Sequence, residues 1–490
     1  MPKGNKKSNR TLEAIKEFWN LYKKQRIGLV GLGLLIFLLS LTILAPIISS
    51  PDTPKHWRDS VYWSENPRLA PPSWVGVIEG RSYSQAEDIS LQIISDDHEG
   101  NVSMKGVYDY VYDVPPRGLK VKITISNPIG TSIVDLIVKV TRPDGESFVL
   151  YNGTNIVVSS DNLEMWLQNE KYVKKVLILK AYEWGDEEAK SYVDEPEFAP
   201  IPNYRLLYVL FSKKGEAMLD PSKAVPLKGK YIFEYILRIH DYKPGISVDA
   251  AKLIIQPAAY GVLGTDDLGE DLFVLLIWGV RPALLIGLLS SVISAFIGLV
   301  YGTFSAYYSG RMSGEIMKRI NDIFYVMPVL PILIMISYSI QYTQGGYVGL
   351  WVLAILISVF SWPGMSVIVR SMALQIREEE FIEAAKAAGA NDLIIIVKHI
   401  MPQLLPYVFA NIALGVPGAI LAEAGISFLG LGDPTSPTWG QMLYYAQRKG
   451  GVRYWWWVIP PGLMISAVSL SFAFIGIALD RILNPKLREF

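Results

Sequence analysis

The chain has 490 residues, 51% of them hydrophobic, with 46 basic and 46 acidic side chains, a formal net charge of zero and no cysteine. That length admits two or three domains, and the lack of thiols excludes a disulfide framework or a cysteine-based zinc site. His56, His98, His240 and His399 are too far apart in sequence to form a metal motif. Acids gather in the polar middle and bases at the ends and short loops, the asymmetry of a membrane protein and not of a nucleic-acid binder.

Residues 1–26 carry Lys3, Lys6, Lys7, Arg10, Lys16, Lys23, Lys24 and Arg26 against Glu13 and Glu17. Leu12, Ile15, Trp19 and Tyr22 share one helical face, so Thr11–Arg26 is expected to lie along the membrane as a cytoplasmic amphipathic leader. Ile27–Ile48 is uncharged and matches the roughly 20 residues needed to cross the hydrocarbon core. It is too long for a signal peptide and lacks a small-residue cleavage site. The basic leader places the start of this first span in the cytoplasm.

From Ser49 to Pro257 no spanning run occurs. Lys120–Ser126, Ser132–Thr141, Ser147–Tyr151, Tyr204–Phe211, Tyr231–Ile239 and Ala251–Ile255 are short segments that predict strands, and Arg142-Pro143-Asp144-Gly145 predicts a turn. Within Gly229–Asp241, Tyr231, Phe233, Tyr235, Leu237 and Ile239 alternate with Glu234, Arg238 and His240, like a closing strand of an immunoglobulin-like sandwich. Residues 49–257 are therefore expected to form a β-rich, sandwich-like extracellular domain inserted between the first and second spans. Asn101-Val102-Ser103 and Asn152-Gly153-Thr154 match the N-glycosylation pattern.

Residues 258–490 predict five further spans: Gly279–Tyr308, Ile323–Ile340 with Pro328 and Pro331 able to kink it, Val348–Val369, Leu404–Leu429 and Val458–Leu479. Arg311, Lys318 and Arg319 put the loop Ser309–Asp322 inside, and the uncharged Gln341–Tyr347 falls outside. Six crossings place both termini in the cytoplasm, with Arg481, Lys486 and Arg488 at the end; Arg448, Lys449 and Arg453 in an outer loop are the exception. Asn411 and Glu423 interrupt the apolar fifth span beside Gly415, Pro417, Gly418 and Gly425. Glu423 reads either as a pore-facing group that meets a substrate amine or a partner permease, or as a side chain snorkelling to external water; Asn411 leans toward helix–helix hydrogen bonding. Trp455, Trp456 and Trp457 fit an aromatic belt better than a sugar-stacking platform.

Between the fourth and fifth runs lies a charged, Ala-rich island, Glu378–Pro402. Glu378–Ala388 are mostly strong helix formers, Gly389 permits a turn, and Asn391 is placed to cap a second helix, Asp392–Met401, that stops before Pro402. The expected product is a cytoplasmic helical hairpin (378–402) whose Phe381, Ile382 and Ala385 offer a partner's groove an apolar ridge. No P-loop, nucleophile elbow or His-Glu-x-x-His helix occurs, so the chain is expected to be no enzyme in its own right and to hold no cofactor or metal.

Glu383-Ala384-Ala385, Gly389 and Pro402 resemble the cytoplasmic loop of ABC importer permeases, with His399 and Met401 where Ile and Leu are usual. Leu263–Asp271 resembles the stretch ahead of the second span in the dipeptide, oligopeptide and nickel branch, with Glu270 standing where Arg is usual; here capping by Asp266 and Asp267 at a wet interface is the plain alternative. Gly425–Gly432 and Ser436–Leu443 resemble the same branch, close to its second, C-type permease. The similarity covers Lys23–Pro46 and Leu263–Phe490, and the large insert is the departure.

The resemblance implies a six-helix type I importer permease in which Phe381, Ile382, Glu383, Ala384, Ala385, Gly389 and Pro402 couple to an ATPase. Asn411 and Glu423 are the candidates for the translocation path from their place in the fifth span. The implied partners are a second homologous permease, two ATP-binding subunits that hold the ATP and Mg, and an external substrate-binding protein. Di- or oligopeptides are the implied cargo, with oligosaccharides the alternative, and the insert would dock the binding protein or shield the path. A membrane-anchored receptor or ectodomain enzyme needs fewer spans than six and no hairpin. A passive channel would go on transporting without ATPases.

Overall fold

The computed structural model describes residues 16–127, 131–158, 162–243, 245–344 and 346–483. The amphipathic leader is helical over Lys16–Tyr22; its residues 11–15, with the bases up to Arg10 and the C-terminal Lys486 and Arg488, lie outside the described residues. The chain divides into two units, one made of residues up to Arg58 together with Phe273 onward, the other of Asp59–Leu272.

The first unit opens with α1 (Arg26–Ile48), an apolar helix whose interior carries no charge. Gly28 and Gly31 let it approach the last helix closely: a Cβ on Gly31 would lie 2.7 Å from the Ser471 carbonyl oxygen, and the Ser471 hydroxyl donates to the Gly31 carbonyl at 2.8 Å. Small residues at such contacts replace the hydrophobic drive that lipid removes.

The second unit holds nine strands, all paired antiparallel: β1 (Glu87–Ser90), β2 (Gln92–Asp96), β3 (Asn101–Tyr110), β4 (Gly118–Ser126), β5 (Ser132–Thr141), β6 (Ser147–Val158), β7 (Asn162–Trp166), β8 (Gly229–Ile239) and β9 (Ser247–Gln256). They form two sheets, ordered β1-β9-β4-β7 and β2-β3-β8-β5-β6. In β8 Tyr231, Phe233, Tyr235, Leu237 and Ile239 all point inward, as their alternation requires. The strand does not close the sheet, however. It pairs with β3 on one side and β5 on the other. The expected turn forms between β5 and β6, where Gly145 adopts a left-handed φ of 84° and donates to the Arg142 carbonyl at 3.0 Å.

The longest helices of this unit are α2 (Lys171–Glu183) and α3 (Asn203–Phe211). The second corrects the expected strand at Tyr204–Phe211. Leu206 to Phe211 are all buried, so no polar face disciplines the pattern to a period of two. The end of α3 is held by Arg142, whose Nη1 donates to the Val209 carbonyl at 2.9 Å and Nη2 to that of Ser212 at 2.5 Å. The unit also extends past Pro257. Leu69 donates to the Asp266 carbonyl at 2.8 Å and Thr265 to that of Ala70 at 2.9 Å, so the Leu263–Asp271 stretch is tied back to 66–73. Asp266 caps no helix: its Oδ1 accepts from the backbone N–H of Leu268 and Glu270, both at 2.9 Å, and closes a buried loop.

The first unit resumes with α4 (Val280–Tyr307), α5 (Met312–Val326), α6 (Val329–Gln344), α7 (Leu350–Arg377), α8 (Glu380–Ala387), α9 (Met401–Phe428), α10 (Trp439–Arg448) and α11 (Trp455–Leu483). Five described helical runs are long and apolar enough to cross a membrane: Arg26–Ile48, Leu272–Tyr307, Leu350–Arg377, Asp392–Phe428 and Trp455–Leu483. The expected span Ile323–Ile340, kinkable at Pro328 and Pro331, is a pair, α5 and α6, bent by 79°. Pro328 has no N–H to carry a helix across the join, and it forces Met327 into extended backbone with ψ of 131°. Trp457 departs from an interfacial belt: its ring is buried, and a Cβ on Gly451 would overlap it.

Removing the Arg142 guanidinium leaves two buried carbonyls without a donor. Arg142→Met is expected to lower the stability of the β-rich unit by about 3 kcal/mol, the scale of a broken buried charged network, read by urea unfolding of the full chain in detergent. Burial pushes the phenols of Tyr108, Tyr110, Tyr231 and Tyr235 above their ordinary range. Folding thus favours their protonated form, and the stability this contributes is complete below about pH 10 and falls as pH rises beyond it. Absorbance at 295 nm should show these phenols ionising only as the unit opens.

Candidate functional site

The island Glu378–Pro402 does form a hairpin. Its first arm is α8, and Gly389 turns the chain with φ of 85°, in open space on every side. Asn391 caps the second arm as expected, its side-chain oxygen accepting from the Ile394 N–H at 2.8 Å. That arm does not stop before Pro402. It passes through one widened, π-type turn at Ile395–Ile400 and runs on into α9, with Pro402 in the first turn. Proline lacks only a donor that the widened turn leaves unused, so the helix continues through it.

The expected apolar ridge is divided. Ile382 is fully buried in its own chain, packed in one cluster with Tyr307, Val369, Ala373, Ile395 and Ile396, whereas Phe381 is 41% exposed. Glu383 and Ala384 are exposed and Ala385 is half-buried. Leu393, Ile394 and Val397 are exposed apolar neighbours on the second arm that sequence reasoning missed. The run Leu393–Val397 is apolar throughout, and its periodicity therefore did not tell which members face outward.

Polar contacts fasten the hairpin to the end of α4. Arg377 Nη1 reaches the carbonyls of Ala306, Tyr307 and Ser309 at 3.2, 3.3 and 3.1 Å, supplying a donor and positive charge at the C-terminal end of a helix. The Tyr307 hydroxyl donates to Asp392 Oδ1 at 2.6 Å, and Arg311 lies 3.7 Å from the same carboxylate. Arg370 donates to the hydroxyls of Ser305 and Ser309 at 3.1 and 3.2 Å.

A cavity of about 390 Å³ lies among α4, α5, α7 and α9. Ser290, Ser291, Ser294, Tyr325, Ser361 and Asn411 supply its polar lining, and Gly364, Gly415 and Gly418 keep it open. Asn411 thus borders the cavity, and its amide donates to the Tyr407 carbonyl one turn back at 3.0 Å, not to another helix. Glu423 sits elsewhere. It is 3% exposed and absent from the cavity wall, it accepts from the Ser427 hydroxyl at 2.7 Å, and the Thr438 side chain ahead of α10 lies beside it. The structure therefore brings together the hairpin residues and Asn411 with α4, and sets Glu423 apart.

A family model described as the binding-protein-dependent transport system inner membrane component matches residues 298–489, and one for the N-terminal transmembrane domain of oligopeptide transport permease C matches residues 14–72. The chain is 34% identical to the dipeptide transport system permease protein DppC of Bacillus subtilis (strain 168) over 48% of its own length and 72% of that protein. It is 32% identical to the oligopeptide transport system permease protein OppC of the same organism over 53% of its own length and 81% of that one. Among solved structures, an inward-facing MetNI methionine ABC transporter has a chain matched at 21% identity and a TM-score of 0.37, covering 44% of this chain and 97% of that one. Through its membrane helices and their two family matches, the chain belongs to the inner-membrane permeases of binding-protein-dependent ABC transporters, in the C-type branch of the dipeptide and oligopeptide systems.

Proposed function

We propose that this chain is one of two related permeases in an ATP-driven importer of di- or oligopeptides delivered by an external binding protein. The observation that carries this is the hairpin: an exposed apolar and acidic surface, Phe381, Glu383, Leu393 and Val397, on a base pinned to the end of α4. A surface with that composition and a fixed base suits a docking element that transmits force. Two partner ATPases would bind ATP and Mg, and this chain neither. Their closure would carry the hairpin with it and rock the permease between inward- and outward-open forms.

In this reading the bent pair α5–α6 counts as one crossing, giving six, with both termini in the cytoplasm and the β-rich unit outside. The cavity bordered by Asn411 is this subunit's half of the path, completed by the second permease. Glu423, closed in by Ser427 and Thr438, holds α9 to the segment before α10 and does not meet cargo.

Coupling is tested in the assembled transporter in proteoliposomes. Glu383→Lys changes only an exposed side chain, and Gly389→Pro forbids the positive φ of the turn; each should cut peptide uptake by about tenfold or more while ATP hydrolysis persists, the scale of one lost charged contact or a misplaced hairpin. Wild-type uptake in both variants would refute the assignment. Tyr307→Phe removes the tether to Asp392 without touching the outer surface. Backbone amides of 390–397 should then exchange hydrogen about tenfold faster, as loss of a hydrogen bond to a charged group implies.

A further inference from the structure

We infer that the β-rich unit carries its own binding site for a small ligand with a free carboxylate, of the size of an amino acid or dipeptide, in a cleft lined by Arg117, Arg68, Trp166, Asn203, Tyr204 and Asp267. The cleft has a volume of about 300 Å³. That is the low end of ligand cavities, which run from about 300 to 1,000 Å³. Residues 73–297 lie outside both family matches, and most of the cleft's wall falls among them.

Arg117 is the central observation. It is 9% exposed, its guanidinium stacks 3.9 Å from the Tyr204 ring centre, and its Nε donates to the Ala258 carbonyl at 3.3 Å. Its Nη1 is buried and finds no acceptor, and no carboxylate of the described residues lies within ion-pairing distance of it. A buried cation without an anion is costly, and a guanidinium fork is matched best by the two oxygens of a carboxylate. A second cation and a helix start lie alongside. Arg68 borders the cleft, and the first turn of the nine-residue α3, the positive end of its dipole, contributes Asn203 and Tyr204.

The rest of the wall is fixed in place. Lys120 lies 5.4 Å from the centre of the Trp166 ring and is itself paired with Glu65 at 2.6 Å and Glu164 at 2.7 Å, so that indole is held as a flat apolar flank. Asn203 donates to Asn169 at 2.9 Å and Gln168 accepts from the Leu119 N–H at 3.0 Å, which orients the amides. The guanidinium and the aromatic flank together describe a site for a small carboxylate, such as the C-terminal end of an amino acid or short peptide.

The full chain in lipid nanodiscs is titrated calorimetrically with L-alanyl-L-alanine. Saturable binding is expected, weakened about tenfold or more when the same dipeptide carries a C-terminal amide, the scale of one charge-assisted hydrogen-bond pair. Arg117→Met should weaken the free acid by a similar factor and leave the thermal unfolding of the chain intact. Equal binding of acid and amide, unaltered binding to Arg117→Met, or binding of maltose with none of the dipeptide would each overturn the assignment. The acid–amide comparison uses the unaltered chain and involves no ATPase or uptake assay, so its outcome is separate from that of the transport reading.

Discussion

The C-terminal end of α4 is the point through which the membrane unit is tied together. A helix ends with carbonyls that have no intrahelical partner, and in an apolar setting each one left unpaired is expensive. Here Arg377 Nη1 of α7 reaches the carbonyls of Ala306 and Tyr307 at that end and of Ser309 just beyond it. Arg370, two turns earlier on the same helix, takes the hydroxyls of Ser305 and Ser309. Asp392 of the hairpin takes the Tyr307 hydroxyl, and Ile382 is buried in the same apolar cluster as Tyr307. Three segments distant in sequence thus share one anchor, and a load on the exposed face of α8 has a packed route into α4, α7 and α9. Close approach stiffens the route: a Cβ on Gly298 or Gly302 would fall 2.7 Å from Met365 Cβ and 2.6 Å from the Ser366 carbonyl, so α4 and α7 touch along their backbones.

Much of this was legible in the sequence where one physical rule dominated. Long apolar runs with at most one charge marked α1, α4, α7, α9 and α11, because hydrocarbon tolerates little else. The Asn391 cap and the Gly389 turn followed from side-chain geometry, and β8 from strict alternation. Where two rules competed, the sequence was silent. Pro328 could kink a span or end a helix, and packing chose the break. Pro402 stood as a stop signal, but the widened turn before it absorbed the missing donor. In Tyr204–Phe211 burial on all sides erased the period. The anchor itself was out of reach, since Arg377 and Tyr307 meet only after the spans have folded.

Polar residues inside the apolar runs divide by the same logic of satisfaction. Ser290 donates to the Ala354 carbonyl at 3.0 Å and Ser291 to that of Ile412, so hydroxyls on α4 stitch it to α7 and α9 while also lining the cavity. Asn411 spends one donor on its own helix. An amide has a second donor and an acceptor, so this bond leaves capacity for a passing ligand or water. Glu423 differs in kind, for its contacts come from two neighbouring hydroxyls within a closed space. A carboxylate there stabilises local structure, whereas one open to the cavity would present charge to every solute that passed.

Two buried arginines in the β-rich unit show how such accounting distinguishes structure from site. Arg142 has carbonyl partners at Val209 and Ser212 and the Asp144 carboxylate at 3.2 Å, and its guanidinium covers the Trp184 ring at 4.3 Å. One donor, its Nε, goes unused, but the charge is matched and the residue closes a turn and caps a helix. Arg117 has a ring and a single carbonyl, with no counter-charge among the described residues, and it borders a cleft. Folding alone would favour an apolar side chain at position 117, since a lone buried cation opposes it. An arginine placed there at that cost is accounted for when an anion from outside the chain completes the pair.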